Sequence, residues 1–179
     1  MSISPAAIAT DVADHIVASS PRDPLARPLL DALVGEYTRR YAHLVGRGAD
    51  AAAHEVYERY PAQAFEPPQG SFVLILRDGA PIAGGGFMRH ADSGTAEVKR
   101  MWTAATHRRQ GLASRVLEAL EERAFALGYT RIYLTTGIRQ PEAAALYHRQ
   151  GYTRLYDPDA DLAAQFSLPF EKSLEGRRA

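Results

Sequence analysis

Arg108, Arg109 and Gly111 belong to a short turn, Arg108-Arg109-Gln110-Gly111-Leu112-Ala113, that separates a strand-like run (Thr95 to Thr103) from an amphipathic helix beginning near Leu112. These residue types in this order suit anion binding. The first N–H groups of a helix have no partners inside it, and the aligned peptide dipoles add partial positive charge there. Gly111 has no Cβ to hold a phosphate away from the backbone, and two guanidinium groups stand beside it. A phosphorylated ligand is therefore expected. Two common phosphate sites do not fit. A nucleotide P-loop ends in Gly-Lys-Ser/Thr, whereas Gly111 is followed by Leu112 and Ala113. A dinucleotide fold places its glycines where a strand leaves for a helix. Gly84-Gly85-Gly86 instead lies late in a strand-like run, and reads as a bulge or a place of close backbone approach.

Other chemistries are narrowed by what the chain contains. It has no cysteine, which removes thiolate nucleophiles, zinc–thiolate sites and disulfides, and makes the cytoplasm the simplest expected location. The histidines show no metal-ligand spacing, so no metal site is expected, and no G-x-S-x-G elbow suggests a serine hydrolase. Lys+Arg and Asp+Glu both number 21, a balance unlike the basic surface that nucleic-acid binding needs. No apolar run approaches the ~20 residues of a membrane span, and Met1 to Asp14 lacks the pattern of a secretory signal.

The elements that must position the turn can be read from periodicity. The 179 residues fit one domain, taken as 1–179. Residues 1–24 carry weak signals and end in a loop. Leu25 to Val45 repeats apolar residues at helical spacing, Gly46 and Gly48 end it, and Asp50 would cap a second helix running to Tyr60. Ser71–Arg77 and Ala80–Met88 are strands joined by the hairpin turn Asp78-Gly79, and Thr95 to Thr103 completes a meander. In the following helix Leu112, Val116, Leu117, Leu120, Ala124 and Leu127 form an apolar stripe, while Arg115, Glu118, Glu121, Glu122 and Arg123 are expected to face water. Tyr129 to Thr136 is a strand, Pro141 opens a short helix that ends at Gly151, and Tyr152 to Leu155 and Phe166 to Glu171 are final strands. This is an α/β (α+β) pattern, a mixed sheet with helices on its faces.

The turn, R-x-x-G-x-A between strand and helix, resembles the acyl-CoA signature (Q/R-x-x-G-x-G/A) of the GNAT superfamily of N-acetyltransferases. Glu97-Val98-Lys99-Arg100-Met101-Trp102-Thr103 looks like that family's central strand, with the usual five-residue step to Arg108. Ala144, Leu146 and Tyr147, followed by Gly151-Tyr152, look like its later A-x-L-Y…G-F/Y motif. The resemblance spans roughly residues 70–155. It implies a GNAT fold, a mixed and mostly antiparallel twisted sheet of six or seven strands flanked by about four helices. It also implies an acyltransferase that uses acetyl-CoA as co-substrate.

The resemblance assigns roles as well. Amides from Arg109 through Gln110, Gly111, Leu112, Ala113 and Ser114, with the Arg108 and Arg109 side chains, would cradle the CoA pyrophosphate. Met101, Trp102 and Thr103 would pair their backbone with the pantetheine arm. The N–H of Met101 or a neighbour would hold the thioester carbonyl oxygen. Glu97, on a strand face expected to include Lys99, Met101 and Thr103, is the candidate base. An alkylamine of pKa near ~10.4 needs one, since exposing its lone pair at neutral pH costs roughly 4–5 kcal/mol. Tyr147 is the candidate acid, and Gln140 stands where the family often has a cofactor-binding asparagine. Tyr37, Tyr41, Tyr57 and Tyr60 lie where the family builds its acceptor pocket, most of them as core. The expected reaction is acetyl transfer to a primary amine of a small molecule through a ternary complex. An acyl-CoA-binding regulatory module without turnover, and a peptide or protein acceptor, stay open as alternatives. A homodimer through the last strands is an expectation by analogy.

Overall fold

A computed structural model describes residues 13–41, 48–159 and 167–176. Among these, seven strands make one sheet: β1 (His15–Ser19), β2 (Ser71–Arg77), β3 (Ala80–Arg89), β4 (Thr95–Thr103), β5 (Arg131–Gly137), β6 (Thr153–Arg154) and β7 (Ser167–Ser173). Four α-helices accompany it: α1 (Arg27–Tyr41), α2 (Ala49–Ala53), α3 (Leu112–Ala126) and α4 (Pro141–Arg149). The spatial order is β1-β2-β3-β4-β5-β7-β6, with only the β4–β5 pair parallel. The expected mixed, mostly antiparallel sheet with four helices is what forms.

Several boundaries differ from expectation, each for a local reason. Residues His15–Ser19 are not part of a featureless lead-in; they pair with β2 as an edge strand. The first helix starts two residues late because Asp23 caps a 3-10 turn, its carboxylate accepting from the Leu25 N–H at 2.9 Å. The second is preceded by Gly48, so Asp50 lies inside its first turn, and it continues as a wider π-helical turn, His54–Glu58. Tyr129 packs before β5 rather than within it, and the strand after Gly151 shrinks to Thr153–Arg154. The end of the first helix at Val45 and Gly46, and Phe166 of the last strand, lie outside the described residues.

The sheet is covered on both faces, so its inner strands read as apolar runs. Alternation along β2 shows the division: Val73 and Ile75 join α3 and α4, whereas Phe72 and Leu74 join α1 and Phe65. Helix α3 buries Leu112, Val116, Leu117, Leu120 and Ala124 as its stripe predicts. Leu127 instead falls beyond the last turn and is exposed. Glu121 does not face water. It is fully buried and accepts from the Tyr152 hydroxyl at 2.9 Å and from the Lys172 ammonium at 2.9 and 3.0 Å.

Candidate functional site

Strands β4 and β5 pair only from Thr95–Val98 to Arg131–Leu134, although both run on for several residues. Beyond Val98 they separate. A cleft of about 1260 Å³ opens between Lys99–Thr103 on one side and Thr135–Ile138 on the other. Unpaired strand edges of this kind offer N–H and C=O groups to an extended ligand.

Two features of β3 and β4 shape its floor. Gly84 pairs with Trp102 and Gly86 with Lys99, so Gly85 stands opposite two residues, Arg100 and Met101. This is a β-bulge, one of the two readings of the glycine triplet, and Arg100 takes the positive φ of 58° within it. A Cβ on Gly85 would come within 2.7 Å of the Met101 sulfur, so glycine lets Met101 lie across the bulge. The inserted residue also breaks alternation. Met101 packs with Val98 and Val116 on the α3 face, while the Lys99 ammonium sits 5.5 Å from the Tyr60 ring on the other. Glu97, Lys99 and Met101 therefore do not share a face as a regular strand would require.

The Arg108–Ala113 turn ends in Gly111, whose φ of 74° precedes α3. The first helical bond is Arg115 N–H to the Gly111 carbonyl at 3.1 Å, and no side chain caps the N–H groups ahead of it. Gly111, Leu112, Ala113 and Ser114 line the cleft with Arg108 and Arg109. A Cβ at Gly111 would meet nothing within 4 Å, so the space before these amides is open. Gln110 is directed elsewhere: its side-chain oxygen accepts from Arg77 at 3.1 Å. Residues and space together fit a diphosphate at this end.

Tyr147 on α4 reaches the cleft wall while 5% exposed, its ring 5.9 Å from that of Tyr152 and 5.6 Å from that of Phe170. Burial pushes its hydroxyl well above the usual tyrosine range. Gln140 precedes α4, and its oxygen accepts from the Thr136 hydroxyl at 3.0 Å and the Gly137 N–H at 3.1 Å. It lines the cleft while fixing the end of β5. Glu97 forms an ion pair with Lys99 at 2.7 Å.

The structure also adds residues that sequence reasoning did not select. Glu36 of α1 binds Arg40 at 2.7 Å and Arg108 at 3.3 Å, and Arg40 continues to Glu142 of α4, so ion pairs tie α1 to both sides of the cleft. Glu55 pairs with Arg59 at 2.7 Å, and Tyr60, His90, Arg100 and Tyr133 complete the wall around Glu97. Of the four tyrosines, Tyr37, Tyr41 and Tyr60 line the cleft, Tyr60 from just beyond the turn that ends at Glu58, whereas Tyr57 donates to Asp31 at 2.5 Å beside a smaller cavity. Helical periodicity marked the tyrosines but not the carboxylates between them, which look like ordinary surface charge.

Comparison with known proteins agrees with this architecture. The acetyltransferase (GNAT) family matches residues 27–152, and the chain belongs to it. It resembles the IAA acetyltransferase of Azospirillum brasilense, 33% identical over 90 residues, half of this chain and 59% of that protein. The uncharacterized N-acetyltransferase YsnE of Bacillus subtilis (strain 168) is 36% identical over 86 residues, 47% of this chain and 56% of its own length. The chain thus spans under two thirds of these relatives. The fold is shared with an acetyltransferase of the GNAT family from Staphylococcus aureus Mu50 (TM-score 0.68, 15% identity, 91% of this chain and 100% of the other). It is shared too with the PaiA N-acetyltransferase of Thermoplasma acidophilum, solved in complex with coenzyme A (TM-score 0.65, 15% identity, 90% and 99%). The family is one of acetyltransferases, and a member of this fold has been solved with coenzyme A bound. No helix among the described residues is long and apolar enough to cross a membrane.

Proposed function

We propose that this protein transfers acetyl from acetyl-CoA directly to the primary amine of a small molecule, with both substrates bound at once. One observation carries the reading: a single cleft joins the Arg108–Ala113 turn and free strand edges to a separate wall of titratable side chains around Glu97. Its volume of about 1260 Å³ exceeds the roughly 300–1,000 Å³ usual for one small ligand.

In this reading the N–H groups from Arg109 to Ser114, with the guanidinium groups of Arg108 and Arg109, hold the pyrophosphate. Each helix-end contact contributes ~0.3–1 kcal/mol, so several must act together. The backbone of Met101, Trp102 and Thr103 pairs with the pantetheine arm, and Gln140 adds an amide contact. Acetyl-CoA supplies an acyl group activated as a thioester. Glu97 accepts the ammonium proton, directly or through water, and passes it to solvent. The freed nitrogen then attacks, and the Met101 N–H stabilises the oxyanion. The C–N bond forms, the C–S bond breaks, and Tyr147 donates a proton to the departing sulfur, recovering one from the new amide nitrogen. The net result is N-acetyl amine, CoA thiol and one proton.

The test is CoA thiol release with a panel of primary amines, each N-acetyl product identified by mass. Turnover with at least one small amine is expected. Tight acetyl-CoA binding with no turnover on any amine would instead define a binding module.

A further inference from the structure

Arg100 is the only buried cation among the described residues, 8% exposed, and it forms no ion pair with any of them. Its guanidinium lies 4.4 Å above the Phe65 ring, and one Nη donates a long bond of 3.5 Å to the Tyr60 carbonyl. The enclosed Nε has no hydrogen-bond acceptor there. Five donors thus make one weak bond, in a place where a buried, unpaired charge is costly. Glu55, the carboxylate whose charge acts on Arg100, is engaged by Arg59, and Glu97 of the same strand by Lys99, each at 2.7 Å. The residue is also held at a φ of 58°, a conformation that L side chains adopt at a cost. Burial lowers the guanidinium's pKa from its ordinary value, the response of a cation still short of an anion. Arg100 stands in the wall between the main cleft and an adjoining cavity of about 360 Å³, reached from both.

We propose that the acceptor carries a carboxylate as well as its amine, an amino acid or a similarly small amino-acid-like compound, and that Arg100 receives the carboxylate. A planar fork fixed by stacking on Phe65 suits a carboxylate better than a point anion. Arg100 directly precedes Met101, whose N–H is assigned to the thioester oxygen, so carboxylate and amine are separated by a short carbon skeleton. Lys99 and Glu97, already paired, leave that end of the wall near neutral, and the arginine is the charge that selects. The inference rests on the acetyl-transfer reading, and its test separates the two.

Native protein is assayed for CoA release with free amino acids, their methyl esters and the corresponding decarboxylated amines. In parallel, N-acetyl amino acids and their methyl esters are titrated calorimetrically in the presence of CoA. The acids are expected to exceed the neutral compounds about 10- to 100-fold in kcat/KM, the range of a charge-assisted bond. In Arg100→Gln that ratio collapses toward one, the loss falling on the acceptor KM more than on kcat, and Arg100→Lys is intermediate. Should either variant fold poorly, the native acid-to-ester ratio and the titration decide alone. Equal or better use of neutral amines overturns the inference and leaves acetyl transfer standing. Tighter binding of N-acetyl acids than of their esters, with no amine acetylated, sustains the carboxylate site and overturns the transfer reading. No turnover of any amine, together with equal binding of N-acetyl acids and their esters, overturns both.

Discussion

Replacing Tyr147 by phenylalanine separates a catalytic hydroxyl from a structural ring. The ring is 5% exposed and packs against Tyr152 and Phe170 at centroid distances of 5.9 and 5.6 Å, contacts that phenylalanine keeps. No described residue hydrogen-bonds the hydroxyl, so its removal forfeits no internal bond, and the stability change is expected within about 1 kcal/mol. If the hydroxyl supplies the proton to the leaving sulfur, kcat falls by about 10²–10⁴, or about 3–5 kcal/mol of barrier. The two effects are far enough apart to be read independently. Thermal denaturation gives the first, and single-turnover acetylation with saturating amine gives the second, free of product release. Because burial raises the hydroxyl's pKa, Tyr147 stays protonated past pH ~10 and imposes no decline in kcat below that. An acyl donor with a more acidic thiol needs less protonation and is expected to lose less in the variant. A kcat within about threefold of native, with Tm unchanged, would refute the assignment, whereas an alkaline decline between pH 7 and 9 that the variant abolishes would keep Tyr147 as the acid and refute only its raised pKa.

Three further outcomes follow from the same structure. Glu97→Gln is expected to lower kcat/KM about 10- to 100-fold at pH 7, with the deficit shrinking as pH approaches the amine's pKa near ~10.4; a deficit independent of pH would remove Glu97 as the base. Glu121→Ala leaves the Lys172 ammonium and the Tyr152 hydroxyl without their shared acceptor, and urea denaturation is expected to register about 3–5 kcal/mol of lost stability. Burial, with Glu55 a smaller influence, pushes Tyr37 up to about 12. Unfolded tyrosine ionises near ~10, so the stabilisation is whole below that pH and is lost as pH rises toward the folded value. Urea titrations at pH 8 and 11 should show the loss, of which Tyr37→Phe recovers about 1 kcal/mol.

How much of this could be read from the chain depends on whether the signal is local. Helix α3 was legible because an apolar stripe and a glycine at its start are short-range facts, and the Asp78-Gly79 hairpin for the same reason. Strand β1 was not. Only Ile16 and Val17 are strongly apolar in it, it is mostly exposed, and its anchor is long-range: Asp14 held by Arg77 and Arg115 at 2.7 Å each. Glu121 looked like a surface charge because its partner Lys172 lies on a strand 51 residues away.

The bulge is the instructive case, because the glycine triplet announced an irregularity without saying what it would do. Period-two alternation assumes that no residue is inserted, so it put Glu97 and Met101 on one face. The insertion opposite Gly85 sends Met101 to α3 and sets Arg100 in the cleft wall at positive φ. A fold optimised for stability alone has little use for a strained backbone bearing a buried cation without an ion-pair partner. Both sit beside the residue assigned to the thioester, where a binding partner could repay the strain. The place where sequence rules fail most clearly is thus the place where the acceptor's identity is best sought.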